Sequence, residues 1–162
     1  MKYIAKGNQN RHFELRDTVG ELKGNLDYTS WFSRRSADVQ VPGASYTIAP
    51  TGTLQTTIAL KSGEDPLITG KFNWKGQIVL HTPDGHSYVL KRTSVFGGTF
   101  GLFNDEEREI MVLHQHFEIK GWSFCYEIDT DESHREYKDI PLILMLLYCI
   151  NHMHLGAYAP TM

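Results

Sequence analysis

The stretch "DIPLILMLLYCINHMHLGAY", residues 139–158, constrains this chain more than any other. Ile140 to Ile150 is apolar apart from Pro141 and the Tyr148 hydroxyl. As a helix, that run is roughly 16 Å long at about 1.5 Å of rise per residue. A bilayer core is about 30 Å thick. Extending the run brings in Asn151, His152 and His154, which are costly in lipid, so no transmembrane span is expected. Asp139 is placed to cap a helix, and Pro141 suits its first turn. Leu142, Leu144, Met145, Leu146 and Leu147 are good helix formers. His152 and His154 fall near the C-terminal end, where positive character is favoured, and Gly156 is the expected terminator. The apolar residues occupy every face of this helix, so it must be buried on every side.

What could bury it is written in the preceding residues. Between Lys2 and Ile128 the chain runs in short segments broken by turn residues. "HFELRD" alternates on Phe13 and Leu15; "TLQTTIAL" sets Leu54, Thr56, Ile58 and Leu60 on one face; "WSFCYEI" does the same with Trp122, Phe124, Tyr126 and Ile128. This period of two in β-branched and aromatic residues is the strand pattern. "IVLHTPDGHSYVL" reads as a hairpin closed by Pro83-Asp84-Gly85, and "REIMVLHQHFEIKGWSFCYEI" as another closed by Lys120-Gly121. Segment spacing predicts roughly ten to twelve strands.

An eight-stranded barrel has room only for its own side chains. A helix about 10 Å across needs a wider can, of the kind eleven-stranded barrels with a central helix provide. The expected fold is therefore mainly β: a closed antiparallel barrel of about ten to twelve strands around a hydrophobic C-terminal central helix. The competing arrangement, a two-sheet sandwich with the helix at one end, leaves half the helix wet. One domain spans 1–162, with strands over about 2–128, a connection at 129–139 and the helix at about 140–154.

Composition sets the class of partner. The net charge is −3, with 41% hydrophobic and 22% charged residues. That is an ordinary globular balance and not a polyanion binder's, so no nucleic acid partner is expected. Cys125 and Cys149 sit in apolar company and read as reduced, buried thiols. "MKYIAKGNQNRHF" has no secretory pattern, and a cytoplasmic location is expected, with peripheral contact at a membrane as an option.

The order of elements resembles the tubby C-terminal-like superfamily. The resemblance runs through "FELRDTVGELKGNLDY" (13–28), "YTIAPTGTLQTTIALKSGEDPLITGKF" (46–72), "SYVLKRTSVFGGTFGLFND" (87–105) and "DIPLILMLLYCI" (139–150). It is closest in pattern to the branch holding LURP-one-related proteins and phospholipid scramblases. It implies a barrel of roughly twelve strands around the helix. It also implies a non-enzymatic domain that binds phosphoinositide or other anionic lipid head groups.

A head-group site needs cations converging on one pocket. The candidates are Arg34, Arg35, Lys71, Lys75, Lys91 and Arg92, which form no dense cluster in the sequence. A scramblase-like calcium segment would lie in "DTDESHREYKDI" (129–140). There Asp129, Asp131 and Ser133 keep the first spacings of an EF-type loop, but His134 replaces the glycine and Ile140 the final acid. His114 and His116 project from one face of a strand and are the weak metal candidates. No cofactor is expected. "FGGTFG" (96–101) lacks the Lys-Ser/Thr of a phosphate loop and reads as tight curvature or close strand approach. Trp31, Trp74 and Trp122 read as rim or core packing. No nucleophile motif is present, so no enzyme is expected. The partner is expected to be an anionic membrane lipid. The alternatives are a protein, with the chain acting as a scaffold or regulatory domain, and an acyl chain that would displace the helix.

Overall fold

Alternating segments become strands in the order they are written. In a computed structural model that describes residues 1–29, 36–51 and 56–157, the first six strands are β1 (Lys2–Asn8), β2 (His12–Asp17), β3 (Leu22–Tyr28), β4 (Ala37–Val41), β5 (Ala44–Thr51) and β6 (Thr57–Ser62). The other six are β7 (Asp65–Phe72), β8 (Ile78–His81), β9 (Ser87–Arg92), β10 (Gly98–Phe103), β11 (Glu109–Glu118) and β12 (Ser123–Thr130). Each strand pairs antiparallel with its neighbours in sequence, and β1 pairs with β12 to close a twelve-stranded barrel. A single 3-10 turn (Arg135–Lys138) leads into one helix, α1 (Ile140–Ala157).

The pleat sorts the side chains. Phe13 and Leu15 on β2, Ile58 and Leu60 on β6, Ile78 and Leu80 on β8, and Tyr126 and Ile128 on β12 are all buried in one core. Leu142 to Ile150 of α1 are buried without interruption, whichever way they face. Strand walls on one side and helix on the other thus form a single apolar interior. Outward positions of the first three strands are mostly polar: Lys2 and Lys6 on β1, Glu14 and Arg16 on β2, and Lys23, Asn25 and Asp27 on β3, with Ile4 among them. A barrel that crosses a membrane shows the opposite pattern, apolar outward.

The helix start follows the sequence. Asp139 accepts a bond from Leu142 N–H through its side chain (3.1 Å) and from Ile143 N–H through its carbonyl (3.0 Å). No helix of the described residues is long and apolar enough to cross a membrane. The helix end does not follow the sequence: α1 passes Gly156 and runs to Ala157. A glycine costs a helix only about 1 kcal/mol.

Two further expectations shift. The connection starts at Asp131, because Asp129 still belongs to β12, where it faces Lys2 at 3.7 Å. Asp131 spends one carboxylate oxygen on the backbone (2.9 Å) and hydroxyl (2.6 Å) of Ser133, an ordinary capped turn. Trp122 leaves the face shared by Phe124, Tyr126 and Ile128, because the turn gives it a φ of 47° and lifts it into solvent. Leu54, Trp31, Arg34 and Arg35 lie outside the described residues.

Candidate functional site

Strands that alternate in direction send their connections to alternate ends. Six connections, those after β1, β3, β5, β7, β9 and β11, share one end with the C-terminal part of α1. The others share the second end with Met1 and the segment leading into the helix.

The first end is an aromatic rim. Its turns present Trp74 (90% exposed), Val95 (87%), Phe96 (92%), Ile119 (77%) and Trp122 (67%). Turn tips are normally polar, and this end departs from that rule. The turns are stiffened locally. Asn73 Oδ1 accepts the N–H groups of Lys75 and Gln77, both at 3.0 Å, and so holds Trp74 at the apex. Ser94 Oγ accepts Thr99 N–H and donates to the Gly97 carbonyl, both at 3.3 Å, beneath Val95 and Phe96. Gly97 completes that turn with a φ of 97°. Trp122 stands edge-on to Phe117 at 5.6 Å, and Phe117 edge-on to Phe124 at 5.6 Å, an aromatic column rising from the wall.

The turn after β1 braces this column. Asn10 Oδ1 accepts Ser123 Oγ–H (2.7 Å) and Phe124 N–H (2.8 Å), and Gln9 N–H reaches the Gly121 carbonyl (3.2 Å). Gly7 permits the approach: a Cβ there would lie 2.2 Å from Ser123 Oγ.

Charge divides between the two ends. The described rim residues between strands contain Arg11, Lys75 and Lys120 and no carboxylate. The second end carries ten carboxylate side chains (Glu21, Glu64, Asp84, Asp105, Glu106, Glu107, Asp131, Glu132, Glu136, Asp139) against three cationic ones (Arg108, Arg135, Lys138). Some of these acids are tied down. Thr82 donates to Asp84 and Arg135 reaches it at 2.9 Å, which holds the Asp84 carboxyl down at about 2.

Of the cations anticipated for a head-group pocket, the four described ones, Lys71, Lys75, Lys91 and Arg92, lie apart. Lys75 lies on the rim, its ammonium 5.5 Å from the Trp74 ring. Arg92 stands at the barrel mouth, 5.3 Å over Phe100, an interior residue. Lys91 faces outward over Phe103 at 4.5 Å. Lys71 faces outward opposite Val79, which in turn faces Val89. Two strands and two residues therefore separate Lys71 from Lys91, about 12 Å of wall at the usual sheet spacings.

Nor do the two histidines form a pair. His114 meets Thr99 Oγ1 at 3.2 Å, whereas His116 turns to Glu118 at 3.4 Å. The thiols do not suit nucleophilic chemistry. Burial, then the Glu118 carboxylate, push Cys125 up to about 11, and full burial pushes Cys149 further up.

Sequence reasoning overlooked the rim as a unit. The local signal was there, in "SVFG" and "NWKG", where turn residues flank large apolar side chains. No family model matches the chain. No curated protein and no solved structure matches it either.

Proposed function

We propose that this barrel is a non-enzymatic domain that docks end-on against anionic membrane lipid through its aromatic rim. The observation that carries this reading is the coincidence, at one end, of exposed Trp74, Val95, Phe96, Ile119 and Trp122 with cations and without carboxylates among the described turns. Tryptophan prefers the water–lipid interface, where its ring is apolar and its N–H stays wet. Each large side chain moved out of water contributes on the order of 1–3 kcal/mol. Each lysine or arginine near an anionic leaflet adds about 1 kcal/mol. Resemblance of the element order to tubby-like and LURP-one-related proteins supports the same reading. The spread of Lys71, Lys75, Lys91 and Arg92 favours recognition of a charged surface over a single head group.

Co-sedimentation with vesicles tests this. Wild-type protein should pellet with phosphatidylcholine vesicles containing phosphatidylserine or a phosphoinositide and stay in the supernatant with phosphatidylcholine alone. Replacing Trp74, Phe96 and Trp122 together by Ala should lower partitioning by at least about tenfold, about 1.4 kcal/mol or more. A wild-type protein that remains in the supernatant with every composition sinks the lipid reading. The rim would then serve a protein partner.

A further inference from the structure

We propose that His116, Glu118 and Cys125 form a binding site for a zinc-class divalent metal on the outer wall, just below the rim. Their ligand atoms all lie within 4.8 Å of one another. The sheet register makes the cluster. His116 and Glu118 are two apart on β11 and project from one face, and Cys125 is the cross-strand partner of His116 on β12.

Cys125 is the unusual member. It occupies an outward position, yet it is 2% exposed. It is roofed by the other two: the Glu118 carboxylate lies beside the thiol, and His116 Nε2 lies 3.4 Å from Glu118 Oε1. Burial and the Glu118 carboxylate raise the Cys125 pKa to about 11, and the backbone N–H of Gly7, on β1, works against that rise. Such an N–H is the outer-shell bond that fixes a metal-bound sulfur. Lys6 of β1 lies directly across from Cys125 and offsets part of its negative charge.

The donor set selects the ion. One imidazole nitrogen, one carboxylate oxygen and one thiolate suit zinc and its relatives and not calcium or magnesium. In a tetrahedral site such donors stand about 3.3–3.6 Å apart, from bond lengths of about 2.0–2.3 Å. The exposed His116 ring and the half-buried Glu118 side chain therefore close by roughly 1 Å onto a sulfur that stays in place. Binding breaks the S–H bond and forms a metal–sulfur bond, and the proton passes to solvent. Thiolate and carboxylate together cancel the charge of a divalent ion. Three protein ligands leave the fourth position open to water.

Cobalt(II) titration of the full chain reads the site directly. One equivalent should produce the near-ultraviolet thiolate-to-cobalt charge-transfer absorption, and zinc should abolish it. Cys125→Ser should lose the absorption. His116→Ala and Glu118→Gln should each weaken binding about tenfold or more. His114→Ala, on the same strand, should leave it unchanged. Absence of the absorption in wild-type protein, or its persistence in folded Cys125→Ser, overturns the proposal. Equal losses in His114→Ala and His116→Ala overturn it too. Should Cys125→Ser fail to fold, the two surface variants decide the matter alone. Vesicle binding is scored separately and is independent of this result.

Discussion

Several single residues work by having no side chain or by using one on their own backbone. Gly24 faces the interior of β3 where α1 passes. A Cβ there would lie 2.9 Å from both the Gln40 carbonyl oxygen and Leu144 Cδ1. Overpacking of this kind costs typically 1–3 kcal/mol, so Gly24→Val should lower the unfolding free energy by about 2 kcal/mol in urea titration. Asp17 is a different case. Burial works to raise its pKa, but the N–H groups of Glu21 and Val19 and the Lys23 ammonium outweigh burial and hold the carboxyl below the usual aspartate range. A group with a lowered folded pKa contributes stability above its unfolded value, near 4, and loses that contribution as pH falls through the folded value. Asp17→Asn should therefore lower stability at pH 7 and flatten the decline of stability below about pH 4 in acid-titrated thermal melts.

At the scale of elements, the helix and the hairpins were legible because their signals are local. All-round apolarity from Ile140 to Ile150 demanded complete burial, and each of the residues Leu142–Ile150 is buried. Pro83-Asp84-Gly85 and Lys120-Gly121 close hairpins because turn chemistry is a matter of a few adjacent residues. The candidate site was hardly legible. Lys91 and Arg92 are adjacent in the chain, yet the pleat sends Arg92 to the mouth and Lys91 to the wall. Cys125 and His116 are nine positions apart, and only the hairpin register sets them face to face. Strand alternation also set Trp122 on one face with Tyr126 and Ile128, whereas the turn's positive φ released it to the rim. Leu146→Asp tests the helix itself. An unpaired carboxylate in a site with 0% exposure costs more than a domain's ordinary 5–15 kcal/mol margin can spare. Circular dichroism should show an unfolded chain. A folded Leu146→Asp variant that merely leaves membranes would mean that the helix is an anchor and not a core.

The whole molecule is polarised. Among the described residues a cationic, aromatic end opposes an end with ten carboxylate and three cationic side chains, so an anionic surface attracts one pole and repels the other. Steering of this kind acts on encounter and is screened beyond about 10 Å at 0.1 M salt. Stopped-flow binding to phosphatidylserine vesicles should therefore show an association rate that falls steeply with ionic strength. Replacing Trp74 and Phe96 by Ala should instead raise the dissociation rate and leave that salt dependence in place. Equal salt sensitivity of both rates would mean that the apolar tips do not enter the lipid.

Closure by β1 and β12 has a consequence for how the chain comes to be folded. The pairing that seals the barrel sets Lys2 opposite Asp129, residues 127 positions apart. The helix that fills the interior follows all twelve strands. During synthesis, neighbouring hairpins can form one after another, but they have nothing to close around. Both terminal strands then wait with open hydrogen-bonding edges, the surfaces that recruit other chains. Such long-range pairing is slow. The vulnerable interval of this protein is thus the time between emergence of β12 and arrival of the helix.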